Sequence, residues 1–163
     1  MSAVQQSHAY PRIVPSTADV RKEKSSFSAF TSHRLIISQP ESDWYSQLEK
    51  RLNDLTGLPV GWDGYMGKPV SFQCANFAAH ILVRLCRNNV PAPGLVPGTD
   101  GSLQIEWHRN KFDVEIDVLG AQNVIATRLN HETGMEEIVE IENDFSEIAK
   151  WVGGLVIQEE NAR

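Results

Sequence analysis

Four carboxylates alternate with apolar residues in the second half of this 163-residue chain: Glu106 in Leu103-Gln104-Ile105-Glu106-Trp107-His108, then Asp113, Glu115 and Asp117 in Phe112-Asp113-Val114-Glu115-Ile116-Asp117-Val118. A period of two is the pattern of a strand with one face buried, so the apolar set shares one side and the acids share the other. With Arg109-Asn110 as the turn and His108 opposite Lys111, Glu106 aligns with Asp113, Gln104 with Glu115 and Ser102 with Asp117. The same register puts Leu103, Ile105, Trp107, Phe112, Val114 and Ile116 on one face, and a slip of one residue would bury the acids. Like charges set opposite each other destabilise a sheet. Such a row can hold a hard divalent cation that polarises a phosphate and activates water, which would make a metal-dependent hydrolase or nuclease of Glu106, Asp113, Glu115 and His108. It can also dock a Lys/Arg-rich partner, or it is an ordinary solvated face whose charges discourage aggregation. An open sheet face offers little enclosure for a metal, so docking is the stronger functional reading.

A second candidate is the loop Gly61-Trp62-Asp63-Gly64-Tyr65, set in a run from Leu58 to Pro69 with three glycines and two prolines. Exposed Trp62 and Tyr65 beside Lys68 would make an interaction hot spot. The structural alternative is that Asp63 forms the turn by bonding its own backbone while Trp62 caps the core. As a general base Asp63 has no identifiable partner in the sequence. The remaining signals are weak. His33, His80, His108 and His131 show no zinc-ligand spacing. There is no Gly-rich phosphate loop followed by Lys-Ser/Thr and no Gly-x-Ser-x-Gly elbow, so no cofactor or catalytic nucleophile is implied.

Elements that would position these residues follow from the periodicities. Trp44, Leu48, Leu52 and Leu55 make one stripe of a helix over Glu41–Leu55, capped by Ser38 or Ser42 and stopped by Gly57 and Pro59. A second helix, Ser71 to Asn88, is apolar around much of its circumference (Phe72, Ala75, Phe77, Ala78, Ala79, Ile81, Leu82, Leu85, Cys86) and is expected at the centre of the core. Pro91, Pro93, Gly94, Pro97 and Gly98 then read as a rigid connection. After the hairpin come a third strand near Asn123–Leu129, a fourth over Glu136–Ile141, and a last helix with Ile148, Trp151 and Val152 inward. The expected fold class is α+β: two N-terminal helices, a four-stranded antiparallel meander and a C-terminal helix, with the helices on one face.

Length allows one domain, placed at 35–154, with Leu35-Ile36-Ile37 as a lead-in segment. Residues 1–34, rich in serine and with the basic cluster Arg21-Lys22-Glu23-Lys24, read as a flexible basic tail, and 155–163 as a polar tail. Cys74 and Cys86 on one helix would lie about 18 Å apart, too far for a disulfide, and suit a cytoplasmic protein. No secretory signal or membrane-spanning stretch is visible. Net charge is −6, split as ten Lys/Arg against seven Asp/Glu over 1–99 and five against fourteen over 100–163. The acidic half disfavours direct nucleic-acid binding by the folded domain.

The Trp62-Asp63-Gly64 loop and the later Asp100-Gly101…Glu106-Trp107 strand resemble small uncharacterised bacterial proteins often encoded on mobile or defence-related elements. The resemblance spans about residues 41–153 and implies no catalytic residues. The expectation is therefore a non-enzymatic inhibitor, antitoxin-like or anti-defence-like. Trp62, Asp63, Tyr65, Glu106, Asp113, Glu115 and Asp117 would cover a basic partner, a toxin or a nucleic-acid-handling protein. A homodimer through a Trp-rich edge is a third possibility.

Overall fold

Apolar residues spaced by three and four make α1 (Tyr45–Thr56), which buries Tyr45, Leu48, Leu52 and Leu55 while Trp44 sits half-buried just ahead of it. This computed structural model describes residues 34–35, 44–85 and 90–156; the expected caps before Trp44, the end of the second helix with Cys86, and most of both expected tails lie outside that set. The Gly57 amide reaches back to Asn53 and Asp54 and closes the helix. In α2 (Phe72–Leu85) the Ser71 hydroxyl accepts the Cys74 amide at 3.1 Å, a side-chain cap. Ala75, Ala78 and Ala79 are fully buried there, small enough for α2 to lie close against the sheet. α3 (Ser146–Gly153) adds Ile148, Trp151 and Val152 to the same core.

The sheet has five antiparallel strands in sequential order: β1 (Gly94–Pro97), β2 (Leu103–Arg109), β3 (Phe112–Gly120), β4 (Asn123–Asn130) and β5 (Glu136–Ile141). The α+β class with three helices stands, but the sheet has one strand more than the sequence pattern suggests. The extra strand is β1, hidden in the Pro/Gly-rich connection. Its short Gly94-Leu95-Val96-Pro97 run survives as a strand because it lies at the sheet edge, where proline's missing N–H disturbs no central ladder.

The hairpin register also differs from the expectation, by two residues. Arg109 pairs with Phe112, so the turn is Asn110-Lys111, both with positive φ (52° and 65°). That is the geometry of a two-residue type I′ turn, whose twist matches the flanking strands. The observed pairs are His108 with Asp113, Glu106 with Glu115 and Gln104 with Asp117. A shift of two preserves the faces. Leu103, Ile105, Trp107, Val114, Ile116 and Val118 are buried, whereas Phe112 is only half-buried near the turn, with Arg128 over its ring. Leu155, placed by sequence in the polar tail, is buried, and its carbonyl accepts a bond from Asn110. Leu35 is buried too, its amide and carbonyl both bonded to the Asn53 side chain. Among the described residues no helix is long and apolar enough to cross a membrane.

Candidate docking surface

Strand alternation sends one set of side chains to the helices and the other to the opposite side. The rows on that outer side are Gly94–Glu106–Glu115–Thr127–Ile138, Val96–Gln104–Asp117–Ile125–Glu140, and His108–Asp113–Leu129–Glu136. Glu106, Asp113, Glu115, Asp117, Glu136 and Glu140 thus share one face, and no strand sends a lysine or arginine to it. Arg109 and Arg128, the arginines of the strands, alternate to the helix side, where Arg128 pairs with Glu137 at 3.1 Å. The sequence placed Glu106, Asp113, Glu115 and Asp117 on this side correctly. It missed Glu136 and Glu140, together with the apolar Ile125, Leu129 and Ile138, although the period of two extends through both of their strands.

Among the described residues, the groups that bond these carboxylates include one side-chain amide and two imidazoles. Gln104 Nε2 donates to Glu115 Oε2 (3.2 Å) and Asp117 Oδ1 (3.0 Å). Asp113 lies between two histidines, with His108 Nδ1 at 2.7 Å and His131 Nε2 at 2.8 Å, while His108 Nε2 is 3.4 Å from Glu106. The hydrogen bond with Asp113 holds His108 above its ordinary pKa against the opposing effect of partial burial, and Glu106 adds to the rise. For Asp113, partial burial pushes the carboxyl up, but the bonds from His108 and His131 outweigh it and leave the group below the usual carboxylate range. Gly94 makes room for this arrangement. A Cβ there would come within 2.9 Å of Glu106 Cγ, so the glutamate stem lies over the β1 backbone.

At the Asp117 end of the sheet, the aromatic loop is tied to the β1–β2 turn by Lys68 N–H to Thr99 O (2.8 Å) and Ser71 N–H to Gly101 O (2.9 Å). Asp63 Oδ1 accepts the amides of Tyr65 and Gly67, each at 2.9 Å, and these bonds hold its carboxyl below the usual range. Gly61 and Gly64, with φ of 81° and 85°, supply the left-handed turns around it. Trp62 is half-exposed, its indole N–H bonded to Lys68 O at 2.8 Å, so it braces the loop. Tyr65, by contrast, is 85% exposed, and Val60 and Met66 of the same segment are exposed too. Asp113 and this loop therefore sit at opposite ends of the sheet; the expected site residues form an acidic face with an aromatic loop at one end.

Two clefts of about 320 and 310 Å³ lie elsewhere, one lined by Trp44, Arg51 and Leu95, the other by His80, Arg84 and Phe145, and neither includes an outer-face carboxylate of the strands. Among the described residues no group of three or more His, Cys, Asp and Glu is arranged to hold a metal ion.

Comparison with known proteins adds no identification. No family model, curated protein or solved structure matches this chain significantly.

Proposed function

We propose that this chain is a non-enzymatic protein-binding module of the cytoplasm, an antitoxin-like or anti-defence-like inhibitor that covers a basic surface on its partner. One observation carries the reading: six carboxylates share a sheet face to which the strands contribute no lysine or arginine. Repulsion within that row is a standing cost to folding, and a Lys/Arg-rich surface would relieve it on binding. Tyr65, the exposed aromatic of the braced loop, is the better anchor at the loop end, with Trp62 and Asp63 setting its position. A second copy of the same face is a poor partner because its charge is the same. A nucleic-acid-handling protein or a toxin supplies the required opposite sign. The buried free thiol of Cys74 accords with a reducing compartment.

The test is affinity for the partner recovered with the full-length chain from its native cell and then purified. Affinity is expected to fall steeply with added salt, and the double reversal Glu115→Lys/Asp117→Lys should weaken it by about tenfold or more. Unchanged affinity in that variant, with its fold intact by circular dichroism, would remove this face as the docking surface.

A further inference from the structure

The two edges of the sheet are not equivalent. At the β1 edge, the Gly98 amide bonds Ser102 O, so alternation turns Gly94 and Val96 toward β2 and leaves Leu95 and Pro97 facing outward. The outward Leu95 carbonyl accepts Arg51 at 3.4 Å, and Pro97 has no N–H to offer. That edge is closed.

Among the described residues, nothing pairs with the outer edge of β5. The Asn130 amide bonds Met135 O, which fixes the phase of the β4–β5 ladder: Glu137, Val139 and Ile141 exchange bonds with β4, and Glu136, Ile138 and Glu140 direct their N–H and C=O groups away from it. The bond from His131 N–H to Lys111 O sets the same phase independently through β3 and β4. Among the described residues, no hydrogen bond from another element reaches those three backbones. Natural edges are usually blunted by charged side chains, proline, a bulge or a covering element, and charges of one sign repel a like-charged strand while still admitting one of opposite sign. This one carries glutamates around Ile138, which is 61% exposed. From Leu129 to Ala149 the chain has no lysine or arginine at all.

Resting on the basic-partner reading above, we propose that β5 is a strand-addition site for an extended partner segment of the pattern basic-x-apolar-x-basic. Its main chain would pair with Glu136, Ile138 and Glu140, and its cationic side chains would lie opposite the two glutamates. The charge pattern selects this occupant over a second copy. Antiparallel self-pairing centred on Ile138 would put Glu136 of each copy against Glu140 of the other. Glu137 is already engaged by Arg128, so the recognition charges are the two on the outer face.

The experiment uses the full-length chain and the synthetic peptide acetyl-Thr-Lys-Thr-Val-Thr-Lys-Thr-amide, with a control in which both lysines are glutamates. Amide hydrogen exchange read by NMR should show Glu136, Ile138 and Glu140 exchanging fast in the free chain and slowing by about tenfold or more with saturating lysine peptide. The glutamate peptide should give no protection. Ile138→Pro removes an outward N–H without taking a bond from the β4 ladder, and should weaken peptide binding by about tenfold. Glu136→Lys/Glu140→Lys, which leaves the backbone alone, should reverse the preference toward the glutamate peptide. If the lysine peptide perturbs residues around Glu106 and Glu115 while the β5 amides stay unprotected, strand addition is wrong and the acidic-face reading survives. Binding nowhere overturns both. Protection of the three amides already present in the free chain also overturns the proposal, with sedimentation showing whether a second copy or the chain's own remainder fills the edge.

Discussion

Glu106 and Glu115 are directly paired across β2 and β3, and the ladder phase makes this a non-hydrogen-bonded pair, the type whose side chains approach most closely. Neutralising one of them without changing its shape, by Glu115→Gln, should therefore stabilise the protein. The Gln104 amide keeps its partner, because the glutamine oxygen still accepts a hydrogen bond. Cβ atoms of such a pair are about 5 Å apart, placing the carboxylates roughly 6 Å apart. At that distance, with the dielectric of water appropriate to partly exposed groups, the repulsion is about 0.7 kcal/mol. Asp113 and Asp117 are also neighbours on the face, but they lie two residues away in sequence and repel Glu115 in the unfolded chain as well, so only the cross-strand contribution counts. Screening leaves about 0.6 kcal/mol at ~10 mM salt and about 0.1 kcal/mol at ~1 M. For a domain of this size the low-salt gain corresponds to a rise in Tm of about 2 °C. Urea and thermal unfolding of the full chain at both salt concentrations measure it, with Glu142→Gln as a control away from the strand pairing. A destabilised Glu115→Gln protein, or a gain that is the same at high salt, would refute the claim that this face is held together against its own charge.

Two further outcomes follow from the hydrogen bonds on and beside the face. His108 has a raised pKa, so its contribution is complete below about pH 6.5 and is lost as pH rises through the folded value; Asp113 is lowered, so its contribution is present above about pH 4 and is lost as pH falls through its folded value. The difference in unfolding free energy between wild type and His108→Gln, measured by urea denaturation, should therefore be largest near pH 5.5 and shrink by pH 9, staying below about 1 kcal/mol because the imidazole is half-exposed; a pH-independent difference would argue against the charged pair. In the loop, Asp63→Ala should speed amide exchange at Tyr65 and Gly67, whereas Asp63→Asn, which keeps an acceptor oxygen, should hold both near the wild-type rate; equal loss in the two variants would mean that the carboxylate charge, and not the acceptor geometry, shapes the loop.

Local periodicity made most of the fold readable before the structure. The 3.6-residue stripe of Leu48, Leu52 and Leu55 and the alternation from Leu103 to Val118 each report a buried face directly, and both are buried as expected. The features that escaped have identifiable causes. β1 is too short and too rich in proline and glycine to show an alternation, and its strand character comes from pairing with β2. The hairpin slipped by two because alternation fixes only the parity of the register; the turn decides the rest, and Asn110-Lys111 adopts left-handed φ with a lysine where glycine is the usual signal. The His108–Asp113–His131 cluster was illegible for a different reason. It joins β2, β3 and the residue just after β4, and no spacing rule within one segment reports such a meeting.

The outer face also divides along its width, and the proposed partner would have to match both parts. Acids on β2 and β3 meet an area on β4 and β5 where Ile125, Leu129 and Ile138 stand among Glu136 and Glu140. A uniformly basic surface would satisfy the first part and leave those apolar side chains wet. A uniformly apolar one would strand the carboxylates without counter-charge, at a desolvation cost that the contact could not offset. On the docking reading proposed above, the complementary surface would be amphipathic, basic across β2 and β3 and mixed basic and apolar toward β5. Charges separated by more than a few ångströms act mainly on encounter and orientation, and buried apolar contact acts mainly on the lifetime of the complex. On this face the acids of β2 and β3 would steer the partner into register, and the residues nearest the open edge would hold it there.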